Sequence, residues 1–479
     1  MYAFRCKTKA QRMGVRSVAV LGLALICGCP TGPTLPTFNG VIGDGKTTVV
    51  SWDQWGTLPD GGADLPSISA DGRYVAFQLY NVDIVSEEIY VHNRQTGQTT
   101  LASIASDGTR GDRGGYNGVL SADARYLAFA SDSTNLAAND RNLLSDVFVR
   151  DLQAGLTERV SISSSGTEGS KSSYNPAISA DGRFVAFASD SSDLVSDDTN
   201  NEADIFVRDR QTGQTRRVSV DSSGVQGDAP GSYHSWRGAC TISGNGLFVA
   251  FVSDAPNLVP DDTNSAFDLF VHDVTARQTI RASVDSTGAQ ADADSHLVAI
   301  SADGRLVAFA SRASNLVGPL DGADSGAFVH DRDADGNGVF DETCPGCRAT
   351  TRVDVNMEAA PGPTMIVGIA LSDNGRFVAF ERGFSAPLPP PDEPHTYGDS
   401  DVFVHDRQEG QTRRVSVDVP GVRATSSWTL DFGLLTYGIV NETRFPSLSH
   451  DGGLVAFRGY LGYSYAGVIE HIFVERLGD

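Results

Sequence analysis

The sequence predicts an all-β protein: a seven-bladed β-propeller of four-stranded antiparallel blades, its ring closed by an N-terminal strand that completes the last blade. Three observations lead there. A phrase of the form S-x-D-G-R-x-V-A-F recurs seven times along the 479 residues. Each copy sits in a unit of four short β-rich runs separated by turn residues, with no apolar stripe of helical period anywhere. The last unit lacks its fourth run, and a matching run stands near the N-terminus.

The copies open at Ser69, Ser121, Ser179, Ser243, Ser301, Ser372 and Ser449, at spacings of 52, 58, 64, 58, 71 and 77 residues. Asp-Gly or Asn-Gly between two apolar runs is the strongest short-range hairpin signal, because both turn residues tolerate positive φ. One strand therefore enters before the turn and x-V-A-F leaves it. A third run follows an acidic loop, as in DVFVRD from Asp146, DIFVRD from Asp204 and DLFVHD from Asp268. After another turn, often Gln-Thr-Gly-Gln-Thr, a fourth run appears as TRRVSV at 215–220 and 412–417. One such sheet cannot bury both faces; stacking the units around an axis does so and leaves only short edges.

The blades are expected at about 64–105, 115–164, 173–221, 236–285, 295–355, 364–418 and 443–477, the last joined by 45–53. Lys46-Thr-Thr-Val-Val-Ser-Trp52 aligns with TRRVSV and leads into the first unit as other fourth strands lead into the next, so both termini meet in blade seven.

Residues 1–28 read as an export signal: Arg5, Lys7, Lys9, Arg12 and Arg16 precede an apolar run, 17–26, too short to span a bilayer. Ile26-Cys27-Gly28-Cys29 resembles a bacterial lipobox, which implies lipidation of Cys29 and a Pro/Thr/Gly-rich tether over 29–44. Cys27 stands where a small residue is usual, and ordinary signal peptidase cleavage is the alternative. The expected location is the outer membrane or cell surface, or the periplasm, with membrane attachment through the lipidated N-terminus only. Removing 1–28 deletes five basic and no acidic side chains, which takes the net charge from −23 to −28. Nucleic acid is excluded as a partner, since phosphate binding needs a basic footprint. A monomeric ring is expected.

The repeated units resemble the WD-like propeller repeats of the TolB type over roughly residues 45–479. The resemblance implies the fold and leaves function open, because such blades serve in partner binding, in lyases and as lids of prolyl oligopeptidases.

The sharpest chemical motif is Asp331-Arg-Asp333-Ala-Asp335-Gly-Asn337-Gly-Val-Phe-Asp-Glu342, which fits the calcium-loop pattern D-x-D-x-D-G-x5-E. Asp331, Asp333, Asp335 and Glu342 would supply side chains and Asn337 its carbonyl, the hard oxygen set calcium requires. Without flanking helices it reads as a structural hairpin of blade five. Asp331 also aligns with Asp209 and Asp406, which start the same turn elsewhere. Cys344-Pro-Gly-Cys347 follows and is expected to close a small disulfide, with free thiols and metal or redox chemistry as the alternatives; zinc would need two further ligands that no nearby Cys or His supplies.

The acidic loops between second and third strands are read as structural, since Asp and Asn satisfy their own turns. His92, His272, His330 and His405 occupy a slot that Arg fills in other blades, and Cys240 is read as core. No G-x-S-x-G or H-E-x-x-H is present. The connections between blades hold Trp55, Tyr116, Tyr174, Trp236 and Trp428, and with His296 and Arg444 these form a candidate ligand rim for a protein, peptide or glycan. Packing over the blade tops is the competing reading. The functional expectation is a non-enzymatic, envelope-tethered binding propeller. The alternative is a carbohydrate-active enzyme such as a lyase, with His234, His296 and Asp64 converging on a metal in the channel.

Overall fold

The computed structural model describes residues 41–42, 47–51, 62–81, 86–228, 240–320, 323–357, 364–384, 400–415, 422–423, 446–464 and 467–477. Among them there is no helix, and the strands form seven antiparallel sheets. Blade three shows the pattern: Ser173–Ile178, Phe184–Ser189, Asp204–Asp209 and Gln214–Arg217, each hydrogen-bonded to the next. Blades one, two, four, five and six repeat it over 63–101, 116–159, 240–281, 295–352 and 364–414.

Burial explains why the repeated phrase is V-A-F rather than an alternation of apolar and polar residues. Successive side chains of a strand leave opposite faces, and here both faces meet another blade. In blade four, Val249 and Phe251 join the core shared with blade three, whereas Ala250 and Val252 join the core shared with blade five. Seven such cores exist, one between each pair of neighbours, and the last lies between blades seven and one. An aromatic pair on the second and third strands anchors each blade, as with Phe251 and Phe270, whose ring centroids are 5.8 Å apart.

The turns of the repeated phrase tie the ring at its axis. The Ala70 N–H donates to the Ala122 carbonyl, Ala122 to Ala180, Ala180 to Gly244, Asn245 to Ala302, Ala302 to Asp373, and His450 back to Ala70. Between blades six and seven the link is the His450 ring on the Asp373 carboxylate, at 2.8 Å. The turn glycine is needed twice over: Gly182 has φ of 72°, and a Cβ there would lie 2.1 Å from the Tyr126 ring of blade two.

Blade seven closes the ring with both ends of the chain. Thr47–Val49 pairs antiparallel with its third strand, Gly467–Arg476, through Thr47↔Glu475, Thr48↔Val474 and Val49↔Phe473. Val49 enters the core with blade six and Val50 the core with blade one, so two adjacent residues lock two interfaces. Val41–Ile42, expected within the tether, adds a further strand against Thr47–Thr48.

Candidate functional site

One rim carries the tight turns, the other the acidic loops and the connections between blades. The first holds the hairpin of blade five. Its third and fourth strands, Gly326–Asp331 and Ala349–Arg352, meet at Asp331↔Ala349, so residues 332–348 replace the short turn that links Asp209 to Gln214 in blade three. The excursion is folded onto its own base. The Arg332 guanidinium pairs with Asp341, donates to the Gly304 carbonyl at 2.7 Å, and lies over the adjoining rings of Phe248 and Phe340. The Ala334 N–H then donates to the Cys347 carbonyl at 2.8 Å, which brings the far limb alongside the near one.

The five expected calcium ligands are distributed unevenly. Both oxygens of Asp331 are held by the Arg305 fork, at 2.7 and 2.9 Å. Arg183 on Asp209, Arg125 on Asp151 and Arg376 on Asp406 make the same pair. Position one of the motif is thus a member of the blade frame. The signal is present in the sequence as the Arg that follows the turn in five of the seven repeats, Arg73, Arg125, Arg183, Arg305 and Arg376. Asp333 is buried, and its two oxygens accept the N–H groups of Asn337 and Gly338 at 3.0 and 3.1 Å. Asp335 and Glu342 converge: the Asn337 side-chain amide donates to Asp335 Oδ2 at 3.1 Å and Glu342 Oε2 at 2.6 Å. The sulfurs of Cys344 and Cys347 are joined as a disulfide. One ligand atom from each of Asp335, Glu342, Cys344 and Cys347 lies within 4.8 Å of every other.

On the opposite rim the repeated acidic residues surround an arginine of the fourth strand. Arg281 reaches Asp262 and Asp268 at 3.4 and 3.3 Å, Arg217 reaches Asp198 and Asp204 at 3.5 Å each, and Arg159 reaches Asp146 at 3.0 Å and Glu168 at 2.5 Å. A guanidinium thus occupies the place a cation would take. Burial pushes Asp204 up to about 6 and Asp146 up to about 7, and the neighbouring carboxylates of Glu168 and Asp140 add to the latter. In blade four the Gln290 amide donates to both Asp262 and Asp268; Glu168 stands at that position in blade two.

The expected aromatic rim is partly braced. Tyr116 donates to Asp132 at 3.1 Å and touches the Ser145 hydroxyl, while Tyr174 donates to Asp190 at 3.1 Å. Both hydroxyls therefore stiffen the second-to-third-strand loops. The loop that Tyr116 braces presents Leu143, 55% exposed with φ of 60°, and Leu144, 40% exposed. His296 is 2% exposed, and burial, then the nearby Arg312, lowers its pKa to about 4; it contacts the Ile366 backbone of blade six. Asp64 pairs with Arg458 at 3.0 Å. Among the described residues neither His296 nor Asp64 belongs to a group able to hold a metal. Cys29, Trp55, His234, Trp236, Trp428 and Arg444 lie outside the described residues. Cys240 is buried against the Asn175 carbonyl. The axial tunnel, about 240 Å³, is lined by the first strands of all seven blades.

No protein-family model matches the chain, and neither does any curated protein. Among solved structures, the chain is similar to an oligogalacturonate lyase in complex with manganese (14% identity, TM-score 0.51, 91% of this chain and 94% of that one). It is also similar to the β-propeller domain of the Trilobed protease from Pyrococcus furiosus (10%, 0.49, 88% and 98%). TolB from Acinetobacter baumannii is a further match (14%, 0.37, 85% and 81%). At 14% identity the likeness to the lyase is one of fold alone.

Proposed function

We propose that this protein is an exported, lipid-tethered binding propeller that presents its loop rim to a protein, peptide or glycan at the cell envelope. The observation that carries this reading is the Leu143–Leu144 tip of blade two. A leucine with positive φ costs on the order of 1 kcal/mol, and it is kept here with its side chain in water. The equivalent positions are Asn201 and Glu202 in blade three and Ser265 and Ala266 in blade four, so the repeat itself does not require leucine. Exposed apolar side chains on a braced loop support a docking role. The exposed pair favours a protein or peptide over a glycan. Replacing Leu143 and Leu144 with Asn and Glu should abolish binding to peptides and envelope proteins displayed on an array, while the melting temperature holds or rises. Retained binding would sink the rim as the site.

Calcium in the blade-five hairpin is the second part of the proposal. The ligand set supported best is Asp333, Asp335, Glu342 and the Asn337 carbonyl, with Asp331 joining only if Arg305 lets go. Its role would be structural, ordering an excursion whose carboxylates otherwise repel one another. Lipidation of Cys29 would be read by mass spectrometry of the envelope-bound protein beside Cys29→Ser.

A further inference from the structure

We infer that the blade-five hairpin is a second kind of metal site once its disulfide is opened, taking a thiophilic divalent cation of the zinc class through Cys344, Cys347, Asp335 and Glu342. Cys and His residues alone leave zinc two ligands short at this segment. The fold supplies them as carboxylates. The near and far limbs of the hairpin, held together by the Ala334–Cys347 backbone bond and by Arg332 on Asp341, place one atom from each residue within 4.8 Å of the rest. A tetrahedral zinc site needs ligand atoms about 3.3–3.8 Å apart, given metal–sulfur and metal–oxygen distances near 2.3 and 2.0–2.2 Å. Cys347 Sγ is already 3.5 Å from Asp335 Oδ2.

Charge points the same way. Asp331 has Arg305 and Asp341 has Arg332, but among the described residues Asp335 and Glu342 have no cationic partner. Only the Asn337 amide, a neutral donor, stands between them. The disulfide also does little as a staple: it closes a ring across a sequence separation of 3, the kind of loop from which cross-linking removes least chain entropy. Cys347 is buried against the carboxylates and Cys344 is exposed, so a reductant has access to the bond.

The chemistry balances with a phosphine as reductant. The disulfide takes two electrons and two protons to give two thiols, the phosphine becomes its oxide with oxygen from water, and the bound cation then displaces the two protons. The site shares Asp335 and Glu342 with the calcium reading but does not depend on it, because calcium is tested on the oxidised protein and this site on the reduced one.

The test titrates cobalt(II), then zinc, into the full chain after phosphine reduction and anaerobic removal of reductant, with the oxidised chain alongside. One cobalt per chain, a tetrahedral visible spectrum and a thiolate-to-cobalt charge-transfer band, all displaced by zinc, are expected in the reduced protein only. Cys344→Ser/Cys347→Ser should abolish the bands while leaving Cys6, Cys27, Cys29 and Cys240 in place, which assigns the signal. Asp335→Asn and Glu342→Gln should each weaken zinc by about tenfold or more, as loss of a ligand requires at least what loss of its supporting partner does. The proposal is overturned by bands that survive in the double cysteine variant, by an octahedral spectrum without thiolate bands, by no binding, or by carboxylate variants with parental affinity.

Discussion

Blade three and blade five join the same two strands in different ways, and the difference separates what builds this protein from what decorates it. In blade three the link is 210–213, a tight turn; in blade five it is 332–348. Both retain the frame. Arg183 grips Asp209 as Arg305 grips Asp331, and Arg210 and Arg332 each reach the carbonyl of their own turn glycine and cover a ring of the preceding blade. What changes is confined to the residues beyond those contacts. The frame tolerates the excursion because it asks only for the two ends of the turn, so a long insertion costs little and can carry carboxylates and cysteines.

Breaking the frame should therefore cost far more than altering the excursion. Deleting residues 45–53 removes the strand whose Val49 and Val50 enter two different cores, and should destabilise the protein by about 4 kcal/mol or more, with loss of a single cooperative thermal transition. An unchanged transition would mean that the ring does not depend on its latch. Calcium comes next: at about a hundredfold over its dissociation constant it should stabilise the oxidised protein by about 2.7 kcal/mol, and should do nothing for Glu342→Ala or for a chain in which Arg210–Gly213 replaces 332–348. That shortened chain should fold with stability within about 1 kcal/mol of the parent, by the loop-closure term. If it fails to fold, the excursion belongs to the frame after all.

Smaller effects test the frame's internal pairs. Arg183→Ala and Arg305→Ala should lower the denaturant midpoint alike and only slightly, since both guanidinia are about a third exposed and solvent screens the pair. Arg183 holds the Asp209 carboxylate down to about 2, so its contribution is complete above the unfolded carboxylate value near 4 and is lost as pH falls from there toward 2. Denaturant midpoints across that window should show a shallower acid loss in Arg183→Ala. The sign reverses at Asp146, raised to about 7: folding favours its protonated form, so this group's contribution is full below about 4 and declines as pH rises to about 7. Glu168→Gln, which installs the residue found at that position in blades three and four, should flatten that decline by a few tenths of a kcal/mol. An unaltered slope would show that Glu168 is not part of the Asp146 environment.

The repeats made the fold legible because a propeller is written locally. Each hairpin signal, each V-A-F and each D-G turn states its own geometry, and seven consistent statements leave one way to bury both faces of every sheet. The site was less legible for two opposite reasons. The calcium pattern overstated its ligands: Asp331 matched the motif and the repeat at once, and the repeat took it, through Arg305 26 residues earlier. The CPGC segment understates its own reach, since its possible partners Asp335 and Glu342 belong to the calcium pattern as well. The rim shows the same limits. Tyr116, Tyr174 and His296 each stand five residues before a repeat serine, Ser121, Ser179 and Ser301, yet the first two brace loops of their own blades and the third is buried against blade six.

By itself, then, the sequence determined blade number, strand order, the latch in blade seven and the anionic character of the surface, all of which depend on neighbours in the chain or on composition. Only the tertiary structure decided which carboxylates are free. An arginine 26 residues earlier in the same blade arrives at the same point in space, and whether a carboxylate serves the frame or a ligand depends on that meeting. Pattern records the residues on one strand; charge pairing is settled between strands, where distance in the chain carries no information.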